Sequence, residues 1–181
     1  AWPLRWKKPS AIWRYESEGK ERITRALNRE EVDRTPVWFM RQAGRHLPEY
    51  RKLAKEHDFW ERCKDTDICS RISLQPIERY SDIDATIVFS DILTPLPALG
   101  YDVKYGGGIK IDPFDFEDVD SWPEFRAREH APWAGNALAE IGAREESKAR
   151  LGFAGCPWTI SMYLVSGGTG DKDFHGARSA V

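Results

Sequence analysis

The chain has 181 residues, 41% of them apolar and 31% charged, with eight tryptophans, a composition that fits a globular domain with an aromatic interior or site lining. Its net charge of -2 excludes the broad basic field that would make nucleic acid the main partner, and no apolar run approaches the ~20 residues of a membrane span. Cys63, Cys69 and Cys156 are odd in number and lack C-x-x-C spacing, which argues against a disulfide framework or zinc knuckle and fits a reducing compartment.

The opening stretch, residues 1–15, carries basic residues and tryptophans without an acid, and it lacks the apolar core of a secretory signal. Residues 1–21 therefore read as an N-terminal tail and residues 22–181 as part of a single domain. Residues 37–40 predict a short apolar strand. A turn follows in which Arg41, Arg45 and Arg51 surround Gly44, and then a charged helix over Pro48–Glu56. Thr66 and Asp67 open a further helix, with Ile68, Ile72, Ile77 and Tyr80 at helical spacing and Pro76 bending or resetting it. Residues 85–89 predict a second strand, and residues 90–95 the turn that leaves it.

Residues 104–111 read as a hairpin folded over the rim of the sheet, and the acidic residues 112–120 as a solvated loop. A second crossover helix is predicted over residues 136–150, with Leu138 and Ile141 turned inward and Glu145 and Lys148 paired on the wet face. Residues 151–155 predict the third strand. The helix after it has Thr159 as its cap and runs through Met162 and Tyr163 towards Gly167 and Gly168.

Three times an apolar segment runs through a polar or glycine-containing turn into a helix, the rhythm of a parallel sheet, so the fold class is α/β. Buried parallel strands carry their chemistry just past their C-terminal ends. That rule gathers Arg41, Arg45, Asp91, Trp158 and Tyr163 around one cleft. Guanidinium groups fork towards carboxylate or phosphate oxygens, so the arginine turn is anion-binding chemistry. Each residue also has a structural reading: Asp91 as a helix cap, Tyr163 as a core aromatic, Cys156 as a small buried side chain.

The run from Phe39 to Arg51 (FMRQAGRHLPEYR), the string Phe89-Ser90-Asp91-Ile92-Leu93 and the string Gly152-Phe153-Ala154-Gly155-Cys156-Pro157-Trp158-Thr159 together resemble the uroporphyrinogen decarboxylase family. The resemblance covers residues 22–168, in matching order and spacing. Cys156 stands where that family usually has alanine, and His46 where an aromatic is common.

The resemblance implies a (β/α)8 TIM-type barrel, of which this chain is the N-terminal part, since a complete barrel needs ~200 residues or more. It implies a homodimer in the cytoplasm or a plastid, working without cofactor or metal and apart from membrane and nucleic acid. The reaction implied removes the four acetate carboxyl groups of uroporphyrinogen III to give coproporphyrinogen III, in haem and chlorophyll biosynthesis. Residue by residue, Arg41 and Arg45 bind substrate carboxylates, Arg41 also serves in proton transfer, and Gln42, Ala43 and Gly44 line the carboxylate site. Asp91 accepts hydrogen bonds from the pyrrole N–H groups, and Tyr163 hydrogen-bonds near the acetate being lost. The family also uses a serine and a histidine from its C-terminal half, which leaves the activity of these 181 residues alone an open question. Two alternatives stand beside this reading: a fragment that at most binds carboxylated tetrapyrroles, and a related zinc-dependent corrinoid methyltransferase. For the latter, the four histidines show no productive spacing with the cysteines.

Overall fold

The computed structural model describes residues 17–39, 44–112 and 124–169. Its elements are α1 (Gly19–Leu27), α2 (Pro48–Glu56), α3 (Phe59–Lys64), α4 (Thr66–Arg79), β1 (Ala85–Ile87) and α5 (Pro95–Ala98), then β2 (Val103–Tyr105), β3 (Ile109–Ile111), α6 (Ala127–His130), α7 (Pro132–Arg144), β4 (Ala149–Leu151) and α8 (Pro157–Val165). The structure is thus a mixed α/β arrangement. β1 and β4 pair in parallel with Ala85 opposite Ala149 and Ile87 opposite Leu151, while β2 and β3 form a separate antiparallel hairpin. Parallel neighbours require a crossover, and here it contains α5, the hairpin, α6 and α7.

Helix α4 packs against both α7 and β1. Asp65 caps α4 by accepting from the Ile68 N–H at 2.8 Å, and Pro76 sits inside the helix without ending it. Cys69, Leu74, Ile77, Ile83, Val88, Ala137 and Ile141 form the core between α4, α7 and the strand pair. A second cluster, Leu47, Tyr50, Leu53, Ile68 and Ile72, holds α2 on α4. Tyr80, expected on the inward stripe, instead terminates α4 and is exposed.

Three sequence expectations require correction. Residues 37–39 form no strand, and Val37 and Phe39 are exposed. The Val37 N–H donates to the Asp84 carboxylate at 2.7 Å in place of a ladder partner, and Met40 lies outside the described residues. The second crossover helix begins earlier than expected and stops at Arg144, because Ala149 and Arg150 pair with β1. Glu145 then turns back to accept from the Ser147 N–H at 3.0 Å, and the Lys148 ammonium donates to the Ser81 carbonyl at 2.6 Å, so the two do not form a helical pair. Finally, the third strand ends at Leu151, since the Gly155 N–H donates at 3.2 Å to the Ile92 carbonyl, off the ladder. The hairpin falls where expected, whereas residues 113–120 of the acidic loop lie outside the described residues.

Helix α1 starts within the stretch that reads as a tail, and Arg22 on it is 2% exposed. Its guanidinium donates to Asp33 Oδ1 and Oδ2, each at 2.6 Å, and also reaches the Ser17 carbonyl and Asp84. Asp84 is fully buried beside β1. It accepts from Arg34 at 2.8 Å on both oxygens as well as from Arg22 and Val37. The two carboxylates and two guanidiniums thus satisfy one another where isolated charges would be costly.

The hydrogen bond from Arg22 holds the Asp33 carboxyl well below its ordinary value, against the opposing effect of burial. A depressed carboxyl contributes stability that is complete above the unfolded value of about 4 and is lost as pH falls towards the folded one. Urea midpoints at pH 6 and pH 3 are therefore expected to differ, with the acid midpoint lower. Asp33→Asn should narrow the gap, and an unaltered gap would mean that other groups govern acid unfolding.

Candidate active site

The loop after β1 is fixed from behind by α4. The Ser73 hydroxyl accepts from the Phe89 N–H at 2.9 Å, and the Cys69 thiol donates to the Phe89 carbonyl at 3.1 Å. With that backbone held, Asp91 folds into a turn in which Oδ1 accepts from the Leu93 N–H at 2.7 Å. The Thr94 hydroxyl donates to the Asp91 carbonyl at 2.7 Å and lies 2.9 Å from the Ser90 hydroxyl. Asp91 thus closes a turn one step before α5, for which Thr94 is the cap residue. Among the described residues, no hydrogen bond of good geometry is made to its other oxygen.

The loop after β4 is tied to the same place. A Cβ at Gly155 would lie 2.6 Å from the Ile92 carbonyl oxygen, so only glycine lets the two loops touch. Pro157 then starts α8 with Cys156 at its cap position, and Thr159, expected as the cap, lies within the helix. The helix carries Tyr163 into a cluster with Leu93, Leu96, Val103, Ile111 and Leu164. Trp158, near its N-terminus, is exposed.

The hairpin is stitched to the end of this helix: the Ile111 N–H donates to the Gly167 carbonyl at 3.0 Å, and the Thr169 N–H to the Ile109 carbonyl at 2.8 Å. Gly168 has φ of 128°, and a Cβ there would sit 1.9 Å from the Ile109 oxygen, so a side chain would break the seam.

This seam delivers Tyr105, absent from the sequence-derived site, to the neighbourhood of Asp91 and Tyr163. Burial pushes its phenol far up, and the nearby Asp91 charge adds to the effect, followed by Cys63 and Tyr163. The ring packs on Phe59 at 4.3 Å and on Trp60 at 5.7 Å. Both belong to α3, which Asp58 caps by accepting from the Glu61 N–H at 2.8 Å. The D-x-x-E spacing of Asp58 and Glu61 is a helix-start signature and was the available sequence signal. Arg62, also on α3, is buried against the Tyr50, Phe59 and Phe89 rings and donates to the Tyr50 hydroxyl at 2.6 Å. Burial also pushes up the Cys63 thiol, with Cys69 and Asp91 acting in the same direction.

The arginine turn is anchored by Leu47, 1% exposed, whose N–H donates to the Gly44 carbonyl at 3.0 Å. Arg45 is exposed and makes no hydrogen bond or ion pair with Asp91 or Tyr163 among the described residues. Arg41, Gln42 and Ala43 lie outside the described residues. Asp91, Tyr163 and the neighbouring Tyr105 are thus brought together, while Arg45 stands apart in exposed backbone.

A cavity of about 640 Å³ lies elsewhere, bordered by Gln75 and Arg71 of α4, Arg144 of α7, and Ser81, Glu145 and Lys148. The last three precede β1 and β4, so this cavity lies at the N-terminal ends of the strands, opposite the end where βα loops build sites. Its mixed charges neutralise one another, whereas the Asp91 loop offers a carboxylate oxygen that makes no good hydrogen bond among the described residues.

The family model described as uroporphyrinogen decarboxylase matches residues 18–180. A uroporphyrinogen decarboxylase of Alcanivorax borkumensis is 44% identical over 168 residues, covering 89% of this chain and 47% of the relative. Another from Acinetobacter baylyi is 44% identical over 160 residues, with 85% and 44% covered. The chain spans about half the length of the curated relatives it matches. Among solved structures, a methyltransferase from Methanosarcina mazei superposes with a TM-score of 0.60 at 19% identity, over 83% of this chain and 46% of the other, a likeness of fold alone.

Proposed function

We infer the function from one premise: this chain belongs to the uroporphyrinogen decarboxylase family. It contributes the N-terminal part of a decarboxylase, residues 22–181 forming part of one (β/α)8 barrel domain that acts as a homodimer. The barrel reading is supported by the parallel β1–β4 pair with α4 and α7 packed beside it. Among the described residues the far edge of β4 carries no strand, and Phe153 and Trp158 beyond it are exposed.

The substrate is uroporphyrinogen, and the product of four decarboxylations is coproporphyrinogen. Loss of carbon dioxide from a pyrrole acetate leaves an electron pair that must be accommodated. Protonation of a ring carbon creates the acceptor, a cation spread over the pyrrole carbons and nitrogen. The carbon–carbon bond to the carboxylate then breaks, its electrons flow into that cation, and carbon dioxide departs; the exocyclic methylene left behind takes a proton to become the methyl group, and the ring carbon gives its own proton back. The tetrapyrrole is its own electron sink.

Asp91 is assigned to the pyrrole N–H groups and to the cation. The observation that carries this role is the Asx turn, which commits Oδ1 to Leu93 beyond a strand end and leaves the other oxygen without a bond of good geometry among the described residues. A fixed carboxylate near a developing positive charge is the arrangement that electrostatic catalysis requires. Arg41 and Arg45 bind the substrate's carboxylates, Arg41 also taking part in proton transfer, with Gln42, Ala43 and Gly44 lining that site. Tyr163, close enough to Tyr105 to influence it, hydrogen-bonds near the departing acetate.

A decarboxylation assay on the full-length protein with uroporphyrinogen tests the activity, and no release of carbon dioxide would refute it. Arg45→Ala is expected to weaken porphyrinogen binding by about 10- to 100-fold, as for loss of one or two charge-assisted bonds, and to reduce its salt sensitivity. Because Arg45 is exposed, stability should stay within about 0.5 kcal/mol. Calorimetry returning the parental affinity would remove Arg45 from the site.

A further inference from the structure

The Tyr105 hydroxyl oxygen is buried and completes no hydrogen bond. This is uncommon for a phenol inside a protein, where the polar tip ordinarily finds a partner. Its ring is immobilised between Phe59 and Trp60, and its strand is fixed by the seam to α8, so the hydroxyl is aimed by packing. Tyr105 packs in the same cluster as Leu93, two residues from Asp91, and Tyr163, and burial together with the nearby Asp91 carboxylate pushes its phenol up. Asp91 has the matching need. Oδ1 is committed to Leu93, and its second oxygen makes no good bond among the described residues.

We propose that Tyr105 is a positioning residue for Asp91: its hydroxyl donates to the carboxylate oxygen that Leu93 leaves free and so fixes the plane of the carboxylate that faces the substrate. The second lone pair of that oxygen stays available to a pyrrole N–H. Tyr105 acts through Asp91 and touches no reacting atom. This role deepens the decarboxylase reading and rests on it for its catalytic consequence, while the pairing itself does not.

The test uses the full-length protein with Tyr105→Phe and Asp91→Asn. Phenylalanine preserves the ring between Phe59 and Trp60. Asparagine can preserve the bond to Leu93 but presents an N–H at the other position, which accepts nothing. In proton NMR of ring-labelled tyrosine, the parent is expected to show one slowly exchanging hydroxyl proton that disappears in both variants. Tyr105→Phe is expected to lower kcat about 10-fold with KM within about twofold, as for loss of one hydrogen bond to a charged group that matters in the transition state. A parent without the protected proton, a proton that survives Asp91→Asn, or an unchanged kcat in Tyr105→Phe would overturn the proposal. If the parent itself decarboxylates nothing, the functional reading fails, and the proton signal alone still decides whether the two side chains pair.

Discussion

On the proposed reading, Asp91→Asn in the full-length protein is expected to lower kcat by about 10²- to 10³-fold while KM stays within about threefold. Two unit charges ~4 Å apart at an effective dielectric of ~20 attract by about 4 kcal/mol, on the order of a thousandfold in rate. Most of that attraction exists only once the ring has become cationic, so it acts on turnover and little on affinity. Asparagine suits the test because its carbonyl can retain the bond to the Leu93 N–H, which keeps the turn in place. Steady-state rates and a thermal melt separate the outcomes. An unaltered kcat would dismiss Asp91 from the mechanism, whereas a collapsed melting temperature would mark its role as structural. One carboxylate does not supply all the acceleration: placed proton transfer contributes typically ~10²–10⁴ more, and on the proposed reading Arg41 and Arg45 add to it by orienting the substrate.

The largest effect on stability is expected at Asp84, far from that chemistry. Asp84→Ala should lower the unfolding free energy by about 3 kcal/mol, towards the lower end of what breaking a buried charge pair costs. Arg22 and Arg34 both lose a carboxylate, but their fates differ. Arg22 keeps both bonds to Asp33, and Arg34, 40% exposed, regains water. The Val37 N–H also loses its acceptor, while the Val37 carbonyl keeps the backbone N–H of residue 84. Urea denaturation measures the loss, and a change below about 1 kcal/mol would show that the clamp is dispensable. A double-mutant cycle with Arg22→Met isolates the coupling between the two side chains.

The elements that carry the candidate residues were largely legible in the sequence because their signals are local. Pro48 after a turn announced α2, and the helix occupies the expected residues. The hairpin followed from alternating side chains around glycines, and the strand before Asp91 from a β-branched run. Errors arose where a long-range partner overrode local preference. Ala149 and Arg150 suit a helix, yet β1 draws them into the sheet. Residues 37–39 suit a strand, yet the Asp84 side chain takes the bond that a ladder would need. Helix α3 passed unread because six residues are too few for a hydrophobic period to emerge, although its Asp58 cap was visible.

The sequence by itself determined the family and the residue types of the candidate site: arginines in a glycine turn, an aspartate past a strand, a tyrosine on the last described helix. These are properties of residue type and short spacing, which a chain carries whatever its path. Only the tertiary structure decided that Tyr105 comes near Asp91, and that Arg22 and Arg34 meet on a buried Asp84. The first contact depends on the crossing of α3, the hairpin and α8 over one strand end, the second on α1 and the segment after it meeting the start of β1. That crossing is settled by side-chain packing between elements, and no local periodicity encodes it.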